Sequence, residues 1–159
     1  MIGVAATAAP AAARPATATA KARAIMLEPL TLLNTAPLSF GNISPGIAGG
    51  TITVTPLDRP IYVGGATAMG GTVGAARFTI SVPSAKTILV GTPKTPITLT
   101  RVGGGPTMRV TAFTDLARKV RVERGRDVYE FAVGGTLTLA ANQAEGVYEG
   151  QVPVTFDYK

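Results

Sequence analysis

Nine carboxylates are spread along the chain, at Glu28, Asp58, Asp115, Glu123, Asp127, Glu130, Glu145, Glu149 and Asp157, and the chain has neither histidine nor cysteine. A carboxylate pair would serve glycoside hydrolysis, but no pattern in the sequence couples two of the nine. A calcium loop needs closely spaced acidic ligands, and none is present. Without His or Cys the chain lacks imidazole acid–base chemistry, a thiolate nucleophile and the usual zinc and copper ligands. Ser39, Ser44, Ser81 and Ser84 therefore have no histidine to activate them. Glycine clusters at Gly64-Gly65, Gly70-Gly71 and Gly103-Gly104-Gly105 lack the Gly-Lys-Ser/Thr of a phosphate loop, so they read as turns. The inventory points away from an enzyme, and no cofactor or metal is expected.

What remains for recognition is charge. The net charge is +6, and the one dense basic stretch holds Arg118, Lys119, Arg121, Arg124 and Arg126. It alternates with Val120 and Val122, which reads as an exposed strand face entering a hairpin turn at Gly125. The alternative is a contact for a polyanion. Nine aromatic residues, none of them Trp, are too few for a nucleic-acid stacking platform. No nucleic-acid partner is expected, which leaves an anionic glycan or lipid as the acidic partner.

The elements that carry these residues read as β-strands. Gly 19 and Pro 12, with many Thr and Val, indicate short strands between turns. Charged residues make up 15%, against a typical value of about 25%. Strands are expected at Leu30–Leu33, Leu38–Gly41, Thr51–Thr55, Ile61–Val63, Arg77–Val82, Lys86–Val90, Ile97–Thr100, Thr107–Phe113, Val128–Val133 and Thr136–Leu139. Gly134-Gly135 separates the last two, which are either two strands or one strand with a bulge. Asn34–Pro37 reads as a turn and Gly64–Gly74 as a mobile surface loop. In Thr107–Phe113, Met108, Val110 and Ala112 would share one face, against Arg109, Thr111 and Phe113. About nine to eleven short strands with regular turn signals argue an all-β sandwich. No apolar stretch is long enough to span a membrane as a helix.

The chain divides by composition into three parts. Residues 1–15 are Ala- and Pro-rich, and Ala11-Ala12-Ala13 fits a small-residue cleavage site. This part reads either as the remnant of a signal peptide or as a disordered tail. Residues 16–27 alternate, with Ala18, Ala20, Ala22, Ala24 and Met26 on one face and Thr17, Thr19, Lys21, Arg23, Ile25 and Leu27 on the other. They form either a first strand paired within the chain or a donor strand that completes a neighbouring copy. Residues 28–159 form the sandwich domain. Its end alternates most strictly of all: Tyr148, Gly150, Val152, Val154, Phe156 and Tyr158 face one way, and Glu149, Gln151, Pro153, Thr155 and Asp157 the other. One terminal strand is expected there, with Phe156 and Tyr158 buried.

These motifs in order resemble a family of exported proteobacterial domains carried under a domain-of-unknown-function label. They are the Ala-Thr strand, Leu30-Thr31-Leu32, Leu38-Ser39-Phe40-Gly41 with Pro45-Gly46, Gly49-Gly50-Thr51-Ile52-Thr53-Val54, Gly134-Gly135-Thr136-Leu137 and Gly146-Val147-Tyr148. That family is similar to the fimbrial and spore-coat-protein-U-type subunits of chaperone–usher pili. Gly146 and Tyr158 match the terminal motif of such subunits. The resemblance implies an immunoglobulin-like sandwich missing its last strand. The resemblance also implies that a chaperone strand fills the gap first and the N-terminal extension of the next copy afterwards, with a periplasmic chaperone and an outer-membrane usher as partners. It also implies secretion through the periplasm to a cell-surface fimbrium. The chain departs from the pattern by having no cysteine pair, by Pro153 within the terminal strand, and by alanines where donor strands present larger groups.

Overall fold

A computed structural model describes residues 29–159. Their strands, in chain order, are β1 (Thr31–Ala36), β2 (Ser39–Phe40), β3 (Ile43–Ser44), β4 (Gly50–Val54), β5 (Pro60–Gly64), β6 (Thr67–Ala68) and β7 (Val73–Gly74). They continue with β8 (Ala76–Pro83), β9 (Ile88–Gly91), β10 (Ile97–Arg101), β11 (Thr107–Glu123), β12 (Arg126–Leu139), β13 (Tyr148–Glu149) and β14 (Thr155–Tyr158). All pairings are antiparallel and no helix occurs among the described residues, so the fold is all-β, as the turn spacing leads one to expect. The donor-strand face of residues 16–27 and the signal-like start lie outside the described residues.

The hairpin of β11 and β12 is the spine. Arg124 and Gly125 both take positive φ, 50° and 75°, the pairing that a two-residue type I′ turn requires to match strand twist. The hairpin turn at Gly125 is therefore where the sequence puts it. Along its other edge β12 pairs first with β8, through Val133, and then with β4, from Gly135 onward. The change of partner falls at Gly134, where a Cβ would land on the Val54 carbonyl oxygen. Only glycine lets β4 approach so closely. The main sheet runs β1-β8-β12-β11-β10-β13, with β4 and β5 beside the second half of β12.

The core has two parts. Ile52, Val54, Val110, Leu137, Leu139 and Phe40 bury one cluster, with Ile97, Leu99, Met108 and Phe113 packed on it. Ile80, Val82, Phe131 and Val133 bury the other. The small β9–β14 sheet covers this second cluster with Ile88, Val90, Phe156 and Tyr158. Burying side chains of this size stabilises the fold by about 1.5–3 kcal/mol each. The result is an all-β, antiparallel domain with a two-part core.

Four expectations are corrected. First, the terminal alternation is real, but it is not one strand. Tyr148–Glu149 pairs with β10, and Thr155–Tyr158 pairs with β9 in a different sheet. Pro153 has no N–H to give a ladder, and the stretch between the two strands crosses from one sheet to the other. Tyr148, Val152, Val154, Phe156 and Tyr158 are half-buried, whereas Gly146 and Gly150 are exposed. Second, Asn34–Pro37 is not a turn: β1 continues to Ala36 across a bulge. The Asn34 amide donates to the Ala36 and Arg77 carbonyls, so a turn-forming residue serves the bulge instead. Third, Gly64–Gly74 is not a free loop. It doubles back along Ser39–Ser44 through β6 and β7, and Asn42 and Gly70 are joined by a 2.7 Å backbone hydrogen bond. Fourth, a bulge at Ala112, with φ 48°, puts two residues opposite Gly135, so the extra residue lies on β11 and the bulge is not at Gly134-Gly135 of β12. It turns Ala112 outward and Phe113 inward, the reverse of simple alternation.

Candidate binding groove

An apolar groove of about 910 Å³ opens beside the first core cluster. Ile97 and Leu99 of β10, Met108 and Val110 of β11, and Leu137 and Leu139 of β12 form its floor. Pro37–Pro45 makes one wall, and Gln143–Gly150 with Val152 the other. Each wall is a sheet edge. Among the described residues β2 pairs only with β7, β3 only with β6, and β13 only with β10. A strand with one partner leaves a row of N–H and C=O groups on its free side.

The second wall is held by its own side chains. The Tyr148 hydroxyl donates to the Ala144 carbonyl at 2.7 Å and accepts from Gln143 Nε2 at 3.0 Å. Gln143 also reaches the Thr107 carbonyl. Gly146 sits at φ 147°, open to glycine, with the Arg101 side chain against it. At Gly150 a Cβ would stand 2.6 Å from the Thr98 carbonyl oxygen, so the wall presses closely on β10.

Of the terminal residues expected to form an acceptor, the fold brings Gly146, Tyr148 and Val152 to this groove. Val154, Phe156 and Tyr158 go to the other cluster. The first wall and the two glutamates of the second, Glu145 and Glu149, are not legible as a site in the sequence. They lie about a hundred residues apart from one another, in stretches that read as a short strand, a turn and a loop.

The basic hairpin is largely engaged with itself. Arg118 pairs with Glu130 at 3.0 Å, Lys119 with Asp127 at 2.8 Å and Arg121 with Glu123 at 3.2 Å. Arg126 donates to the Ser81 hydroxyl and to the Pro29 carbonyl. Arg124 has no ion-pair partner among the described residues. The hydrogen bond from Lys119 holds the Asp127 carboxyl below the usual carboxylate range, and Ser84 adds a second. The same bond raises the Lys119 ammonium. Elsewhere the Ala75 N–H, with help from Arg77, holds Asp58 low. These pairs neutralise most of the charge that would attract a polyanion.

No group of three or more potential metal ligands occurs among the described residues. No described helix is long and apolar enough to cross a membrane.

Fold and groove together define a class: an all-β, antiparallel domain with an open groove floored by apolar side chains. The chain belongs to the family described as domain of unknown function DUF4402, which matches residues 30–158. No curated protein and no solved structure matches it.

Proposed function

We propose that this domain is a structural subunit of an extracellular pilus- or fimbria-like filament, in which each copy completes its sandwich with the N-terminal strand of the next. The observation that carries this reading is the groove, apolar at its floor and bounded by two single-sided sheet edges. A sheet edge beside a partly covered apolar floor is a template for strand addition: the backbone ladder supplies affinity and alternate side chains pack on the floor. In this reading the sandwich is immunoglobulin-like and lacks its last strand. The donor is residues 16–27, with Ala18, Ala20, Ala22, Ala24 and Met26 turned inward. A periplasmic chaperone and an outer-membrane usher would guard the groove before assembly at the cell surface.

The direction of the chain favours donation to another copy. The carbonyl of Pro29 is held at 2.8 Å by Arg126, beside the hairpin turn. From there β1 runs from Thr31, opposite Ser81, and meets the groove lining first at Asn34, then at Pro37 and Leu38. Residue 29 thus lies about 17 Å of strand from the groove. A head-to-tail contact of this kind generates fibres wherever its rotation does not close into a ring.

Sedimentation and negative-stain electron microscopy of the full chain test the proposal. Wild-type protein should form filaments, and Ala22→Pro, which removes a ladder donor in the donor strand, should stay monomeric. A wild-type chain that remains monomeric at high concentration would overturn it.

A further inference from the structure

The groove lining contains two charged residues, and both are acidic: Glu145 and Glu149. This is notable in a chain of net charge +6. Both are exposed, and neither has an ion-pair partner among the described residues. Residues 16–27 contain two charged residues as well, and both are basic: Lys21 and Arg23. In a strand these two stand on the face opposite the alanines. A strand laid into the groove with Ala18, Ala20, Ala22 and Ala24 on the floor therefore presents Lys21 and Arg23 at the mouth, about 7 Å apart.

We propose that Glu145 and Glu149 recognise Lys21 and Arg23 of a second copy of this chain, and that this charge match selects the incoming strand and sets its register. The inference rests on the strand-insertion reading above. The four alanines specify register weakly, because small identical side chains fit the floor equally well after a shift of two, and Met26 is the one large inward group that resists a slip. The charges remove that ambiguity. A slip of one residue would drive Lys21 and Arg23 into the apolar floor, where a lone charge is strongly disfavoured. A slip of two would move both about 7 Å along the strand, away from the carboxylates. Like-charge juxtaposition at the rim would also reject strands with acidic residues at these positions.

A charge-swap experiment on full-length chains tests this. One variant carries Lys21→Glu and Arg23→Glu, and the other carries Glu145→Lys and Glu149→Lys. Each alone should need about tenfold more protein to assemble at low salt, because like charges then meet. An equimolar mixture should recover wild-type assembly, since each strand finds a matching groove in the other variant. The defects should shrink in 1 M salt, where the screening length falls to about 3 Å. Unchanged thermal midpoints establish that both variants fold. If both variants assemble like the wild type, or if the mixture fails to recover, the charge match is wrong while strand insertion stands. If Ala22→Pro assembles normally beside them, strand insertion fails and the charge match with it.

Discussion

The Phe156 ring meets the Phe131 ring edge-on, with centroids 5.2 Å apart and planes at 89°. Phe156 also tilts against Phe78 at 5.4 Å. One residue near the end of the alternating terminal stretch thus ties β14 to both β8 and β12. Phe156→Ala should destabilise the domain by about 3 kcal/mol, the low end for a core phenylalanine because the site is half-buried. Urea unfolding would show a lowered midpoint with little change in slope.

Gly134→Ala tests the point where β12 changes partner. The added methyl has no room beside the Val54 carbonyl, and that neighbour is backbone that cannot rotate away. A loss of about 3 kcal/mol is expected. Gly125→Ala serves as a comparison, because nothing lies within 4 Å of its Cβ position. Its effect should come from positive φ alone, about 1–2 kcal/mol. Thermal midpoints of the two variants give the difference.

The Lys119–Asp127 pair makes a prediction in pH. Asp127 is held below its unfolded value, so its contribution is present above about pH 3.9 and is lost as pH falls through the folded value. Lys119 is raised. Its contribution is present below about pH 10.4 and is lost as pH rises through the folded value. Asp127→Asn should flatten the acid limb of a stability–pH curve measured by urea midpoint, and Lys119→Met should flatten the alkaline limb.

Arg124→Asn should stabilise the hairpin by about 0.5–1 kcal/mol. Arg124 holds φ 50°, a conformation that Asn tolerates and that suits the first position of an Asn-Gly turn. The change also removes a hairpin cation that has no ion pair among the described residues. If the hairpin is a solvated structural arm, retention on an anionic glycan column should fall only slightly.

The sequence alone was enough to indicate an all-β domain and the hairpin at Gly125; it left open whether Val128–Val133 and Thr136–Leu139 are one strand, and β12 runs through both. The sequence also identified Tyr148, Val152, Val154, Phe156 and Tyr158 as the more buried side of the terminal stretch. Period-two alternation and glycine at positive φ are local properties, written within a few neighbouring residues. The tertiary structure decided what depends on partners far along the chain. The bulge at Ala112 exists because Gly135 on the facing strand receives two residues, and it reverses Ala112 and Phe113. The terminal stretch divides because β10 and β9 each capture one end and Pro153 cannot bridge them. The groove arises only when Leu38–Pro45 and Gln143–Glu149 come to face each other across the floor of β10, β11 and β12. Its two glutamates gain meaning from that meeting, since a charge becomes a recognition element through what stands beside it in space.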